Sequence, residues 1–170
     1  MSNKINISVI VADHFKTMQN ERTNKLSRID IATFFGLPLA LGALSFFVGF
    51  ELMPDAVTVL IAALAVFSGL LVNVLVLIYS LTDAAVQSGR NELPRSQERL
   101  RFLKEVFANL SFAILVAVFC ILLLSWLIFV RGAWAQLLTA IFVACCLNFL
   151  MTFLMALKRI HILLRNRLPG

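Results

Sequence analysis

Four uncharged apolar blocks dominate the chain: Ile31–Phe50, Ala56–Leu81, Val106–Val130 and Ala133–Leu157. Each runs for about 20 to 26 residues, and roughly 20 residues at about 1.5 Å rise cross a hydrocarbon core of about 30 Å. A transmembrane barrel would instead show alternating segments of about ten residues. Lipid tolerates no unpaired backbone groups, so only helices or closed barrels cross it. The pattern therefore predicts an all-α membrane protein with four transmembrane helices.

Ahead of the first block, Ile7, Ile10, Val11, His14, Phe15 and Met18 recur at helical spacing. They predict an amphipathic helix over Ser8–Asn20 inside a polar leader, residues 1–30. Such a helix either lies in the interface with its apolar face in lipid or docks on a partner or neighbouring subunit as a gating element. Ser27-Arg28-Ile29-Asp30 has the form of a capping box before the first span. Pro94 followed by Arg95-Ser96-Gln97-Glu98 marks a second helix start, and Leu100, Leu103 and Phe107 carry one face from there into the third block. The second helix is expected to extend from Leu81 towards Ser88, with Gly89-Arg90-Asn91 as the turn of a hairpin over 82–105. Residues 158–170 form a basic tail.

Charge sets the orientation. Of fifteen Lys and Arg residues, the leader holds Lys4, Lys16, Arg22, Lys25 and Arg28. The hairpin holds Arg90, Arg95, Arg99, Arg101 and Lys104, and the tail Lys158, Arg159, Arg165 and Arg167. On the other side stands Arg131 alone. The positive-inside rule then places both termini and the hairpin in the cytoplasm of a bacterial inner membrane. The leader is too charged to contain the apolar core of a signal peptide, so the first span itself is expected to target the chain.

Composition agrees: 61% of residues are hydrophobic and only 14% charged, against about a quarter charged in a soluble domain. The net charge of +6 follows from the orientation. Nucleic acid or anionic lipid would be met indirectly or through the basic cytoplasmic face.

No Asp, Glu, Lys, Arg or His falls inside a block, which argues against proton coupling. The small multidrug exporters, built of four helices, depend on a glutamate in the first, and Ile31–Phe50 has none. No phosphate loop, nucleophile motif, metal cluster or axial haem ligand is present, so neither an enzyme nor a cofactor is expected. Cys120, Cys145 and Cys146 read as small apolar residues, and His14 and His161 as surface residues of the cytoplasmic side.

The blocks do contain small and polar ridges at four-residue spacing. Gln136, Ala140, Ala144, Asn148, Thr152 and Ala156 align in the fourth, and Glu105, Asn109, Ala113 and Ala117 run into the third. Ala65, Gly69 and Asn73 align in the second, Ala32, Gly36 and Ala40 in the first. Small residues let helices approach and amides bond across the contact, so these faces predict packing within a homo-oligomer. Asn73 and Asn148 lie at one depth, about 12–14 Å from the cytoplasmic ends of their spans. They would bond to each other or ring a pore, with Gln136, Thr152 and Asn109 as further candidates. An offset of 75 residues superimposes Asp30 on Glu105 and Asn73 on Asn148, hinting at a parallel repeat. Gly36 and Pro38 form a candidate hinge, and Trp126 and Trp134 read as interface anchors.

In layout the chain resembles the small four-helix membrane subunits of two-component bacterial anti-phage systems, of which Kiwa is an example. The basic leader ending in Ser27–Asp30, the four spans and the Pro94–Glu105 stretch carry that resemblance. It implies a defence role with a soluble partner acting on DNA or nucleotides, and it transfers no functional residue. Three functions compete: a channel-like effector under a cytoplasmic protein partner, a non-conducting scaffold for a cytoplasmic enzyme or nucleic-acid-binding protein, and a holin-like or uncoupled small-solute transporter.

Overall fold

The computed structural model describes residues 7–17, 32–88 and 95–165, with the side chains of 81–82, 84–88, 95–99 and 162–164 left aside. Every regular element among them is helical: α1 (Ile7–Lys16), a π-helical segment (Ala32–Gly36), α2 (Leu37–Phe47), α3 (Pro54–Ser88), α4 (Arg95–Leu127) and α5 (Ala133–Arg165). Three apolar stretches are long enough to cross a membrane, Pro54–Ser80, Leu100–Leu127 and Ala133–His161, while Ala32–Phe47 is shorter. The outer surface suits lipid rather than water, with Leu44, Val59, Val66, Phe67, Leu122 and Leu154 all exposed. The Ser27–Asp30 start, the Gly89–Asn91 turn, Arg90 and Arg167 lie outside the described residues.

Two glycines set the turns at the end away from Glu105 and Arg159. Gly49 has φ 70° and Gly132 φ 67°, left-handed values that favour glycine. At the first, Phe50 N–H reaches back to the Ser45 carbonyl and Gly49 N–H to that of Phe46, closing α2 with a Schellman-type end. At the second, the Gly132 carbonyl accepts from Ala135 and Gln136, starting α5.

The helices pack in the order α2, α5, α4, α3, and α1 lies on α4. α2 and α3, consecutive in sequence and joined by Val48–Met53, make no close backbone contact, so the helices form an open series and not a closed ring. The Phe67 and Phe153 rings, 6.3 Å apart, bridge α3 to α5. Buried Val106, Leu110, Ala113, Ala117, Cys120 and Leu124 make α4 the centre of the core.

The ridges divide on this plan. Ala113 and Ala117 on α4 and Ala140, Thr152 and Ala156 on α5 are buried in helix contacts. Ala65, Gly69 and Asn73 on α3 are exposed, as are Ala32, Gly36 and Ala40. The first block instead packs through Pro38 and Gly42, its two buried residues. A Cβ on Gly42 would lie 2.8 Å from the Ala140 carbonyl oxygen and 2.9 Å from Ala144 Cβ, so the absent side chain is what lets α2 approach α5.

Asn148 has a local explanation. Proline at 38 cannot supply the N–H that an α-helical ladder would send to the carbonyl of residue 34, and the π-helical turns before it absorb the offset. Asn148 Nδ2 donates to the Phe34 carbonyl at 2.9 Å. Of the two readings of these amides, the Asn73–Asn148 bond within one chain does not form: Asn148 is engaged with Phe34, while Asn73 is exposed on α3. Asn148→Leu should destabilise the chain by roughly 0.6–2 kcal/mol. In a Pro38→Ala background the cost should shrink, because alanine restores the N–H. Thermal unfolding of the four proteins of that cycle decides the matter, and strictly additive effects would refute the coupling.

Candidate functional site: the seat of the N-terminal helix

α1 turns its apolar face towards α4, and one polar residue on that face decides how it sits. His14 is 0% exposed, a correction to the surface position expected of it. Its ring stacks on Phe112 with centroids 3.9 Å apart and planes at 3°. Nδ1–H donates to Asn109 Oδ1 at 2.9 Å, which sets the tautomer. The Thr17 hydroxyl lies 2.7 Å from the His14 carbonyl and 2.8 Å from Asn109 Oδ1, and with one proton it donates to either. Phe15 stacks on Phe35 of the π-helical segment at 5.2 Å. Descending positions on α1 meet ascending positions on α4, so the two run antiparallel. Ile7 lines a second cavity with Leu115, Phe119 and Cys145, well along the apolar part of α4.

A charged clasp closes the seat at its basic end. Arg159 of α5 donates through Nη1 to Glu105 Oε2 at 2.6 Å and through Nη2 to the Thr17 carbonyl at 2.8 Å. One guanidinium thus joins the last turn of α1 to α4 and α5, a geometry its planar fork provides. Arg101 Nε reaches the other Glu105 oxygen at 3.3 Å. The Arg159 and Glu105 side chains are 19% and 22% exposed, so salt screens this pair less than a surface one. The Lys16–Asp13 pair on α1, 2.8 Å apart, is largely exposed and contributes little.

The seat is polar without being fully satisfied. His14 Nε2 and Asn109 Nδ2 are buried with no partner among the described residues, as are the hydroxyls of Thr139 and Thr152. Each such group costs about 1–3 kcal/mol. A charged imidazole would add a buried Nε2–H to this deficit. Burial accordingly holds the His14 pKa below its ordinary 6.5; the Asn109 hydrogen bond opposes the shift and the Arg159 charge adds to it.

The sign of the pH effect follows. Above about pH 6.5 His14 is neutral whether α1 is seated or free, and seating does not vary with this group. Below it the free helix binds the proton more readily, so seating weakens as pH falls, by at most about 1.4 kcal/mol per pH unit. Glu105, Arg101 and Lys104 of α4, Arg159 of α5, and Asp13 and Lys16 of α1 are the charged groups around the seat. The protection factors of the α1 amides, with the intrinsic pH dependence of exchange divided out, should be flat from pH 8 to 6.5 and fall below. His14→Leu should remove that fall between pH 6.5 and 5.5.

The remaining sequence candidates scatter. Gln136 is half-buried beside the Gly49 turn, and Thr152 is buried between helices. Gly36 is exposed at the end of the π-helical segment, while Pro38 is buried against α5. Lys104, Lys158 and Arg165 are exposed, and Arg95 and Arg99 occupy the first turns of α4. Of that set Asn109 and Arg159 meet in the seat, with Arg101 beside them on Glu105. His14, Glu105 and Gly42 were not among the candidates; a lone histidine within the apolar stripe of α1 was the available signal.

Among the described residues no group of three His, Cys, Asp or Glu side chains is placed to hold a metal. The class defined by the structure is an all-helical protein carrying three membrane-length helices and a shorter fourth. Comparison with known proteins finds no matching family model, no matching curated protein and no matching solved structure.

Proposed function

We propose that the chain is a small inner-membrane protein that spans the bilayer four times with its basic side in the cytoplasm. It assembles with copies of itself and acts as a channel-like or membrane-perturbing effector under the control of a cytoplasmic protein partner. The observation that carries this reading is the polar seat of α1. This helix rests on its neighbour through an imidazole and an amide whose Nε2 and Nδ2 have no partner among the described residues. That arrangement specifies one register yet leaves the docked state marginal, as a releasable element requires. Release of α1 would free the face of α4 and the Arg159 fork together. The cytoplasmic partner acts on the leader, and the anti-phage layout suggests a defence setting for it.

Assembly is supported by α3, whose exposed Ala65, Gly69 and Asn73 form a small-residue ridge facing away from the chain. The Asn73 amide makes no hydrogen bond among the described residues, and an amide can pair with its own copy across a symmetric contact. The test is membrane potential in cells expressing the chain with and without the product of the neighbouring gene. Depolarisation, enhanced by Asn109→Leu, supports the effector; silence under both conditions sinks it. One observation favours the scaffold reading instead: Asn148, the best-placed amide for a polar path, is engaged with Phe34. Retrieval of a cytoplasmic partner through the basic face without depolarisation would select that alternative.

A further inference from the structure

A groove of about 890 Å³ opens between α1, α3 and α4, beside the His14 seat and sharing Thr17 and Glu105 with it. Its long wall is apolar, formed by Val9 and Ile10 of α1 and by Leu100, Phe107 and Ala108 of α4. Its mouth lies at the basic end, where Lys16, Arg101 and Lys104 face Asp13 and Glu105. Both carboxylates are already engaged, Asp13 by Lys16 and Glu105 by Arg159 and Arg101. Lys104 is exposed and pairs with no carboxylate among the described residues. Tyr79, the only tyrosine of the chain, stands beside the groove and is 67% exposed. A tyrosine at the end of an apolar span, here Pro54–Ser80, marks the headgroup level.

We infer that this groove is a binding site for one anionic phospholipid of the leaflet on the basic side. Its phosphate sits at Lys104 and one acyl chain lies along Val9, Ile10 and Phe107. The apolar wall offers water too few partners to hold it, and in a bilayer the apolar matter at hand is lipid. The cation left over at the mouth selects a negative headgroup, and basic pockets between membrane helices on the cytoplasmic side take such headgroups. The inference needs membrane insertion but not the effector reading.

The test uses the full chain in mild detergent with either dioleoylphosphatidylglycerol or dioleoylphosphatidylcholine, counting retained lipids by native mass spectrometry. One phosphatidylglycerol per chain should be retained in preference to phosphatidylcholine. Lys104→Glu, a surface change that leaves the fold intact, should lower that retention about fivefold or more. Ala108→Phe should fill the apolar wall and lower retention of any lipid. Lys158→Glu, exposed on α5 outside the groove, should change nothing. Equal retention of the two lipids overturns the inference. So does an equal loss from Lys158→Glu, which would mean diffuse attraction, or indifference to both groove variants, which would mean that the chain's own residues fill the space.

Discussion

Gly42→Leu should unseat α2 from α5 while leaving the α4–α5 core assembled. The space is closed by groups that cannot yield: the nearest atoms to a new Cβ are a helix carbonyl oxygen at 2.8 Å and a short alanine methyl at 2.9 Å. Even Gly42→Ala should cost about 1–3 kcal/mol, the usual range for overpacking. Leucine adds three more carbons at the same point, and separating the helices is then the cheaper response. Pro38, Leu39 and Cys145 line one cavity, so loss of α2 should speed maleimide labelling of Cys145 in detergent. Asn148 would lose its Phe34 acceptor at the same time. Gly69→Leu is the matched control, because nothing lies within 4 Å of a Cβ there. It should leave unfolding of the chain unchanged and weaken only the proposed self-assembly. Equal tolerance of leucine at 42 and 69 would contradict the packing described.

What could be read from the residues was whatever a single helix decides. The uninterrupted apolar blocks are a property of each segment, and the all-helical class followed from them directly; of the four spans they predicted, three are helices of membrane length and the first is a shorter one, Ala32–Phe47. Small ridges on the third and fourth blocks marked contact faces because Ala113, Ala117, Ala140 and Ala156 do meet neighbours. On the second block the ridge meets no other helix of the same chain, since spacing cannot say where a neighbour lies. α3 sits at the edge of the open series, and its ridge faces out. In the first block the spacing picked Ala32, Gly36 and Ala40, but Pro38 and its π-helical prelude shift the contact face to Pro38 and Gly42. A proline changes helical phase in a way that a fixed four-residue step cannot follow.

The site was less legible for a related reason. Asn148 looked like the partner of Asn73 because both share a depth, yet its real partner is a backbone carbonyl, a group that carries no sequence signature. Arg159 read as one more member of a basic tail, and only the packing of α5 against α4 brings it to Glu105. His14 offered the one usable hint. It occupies the apolar stripe of α1 among Ile7, Ile10, Val11 and Phe15, where a charged group would be costly and a neutral imidazole needs a donor or acceptor opposite. That requirement points to a polar position on a neighbouring helix, and Asn109 is the buried amide that α4 supplies.

Arg159→Glu should release α1 and part the basic ends of α4 and α5. The substitution acts twice: it sets a carboxylate against Glu105 and removes the donor from the Thr17 carbonyl. Loss of one partner from a largely buried pair costs about 3 kcal/mol or more, a large share of what holds a ten-residue helix whose seat is already short of partners. Arg159→Lys should be intermediate, since a point charge reaches Glu105 or Thr17 but not both in the guanidinium geometry. Combining Arg159→Glu with Glu105→Arg should recover the α4–α5 contact and its thermal midpoint. It should recover α1 less, because the fork then projects from another helix. Amide exchange of α1 separates these cases from one another, and protection unchanged in Arg159→Glu would dismiss the clasp. If α1 is the element through which a cytoplasmic partner governs the membrane helices, Arg159→Glu should also depolarise cells that lack the partner. A variant that frees α1 yet leaves the potential intact would keep the clasp as a structural fact and remove it from the mechanism.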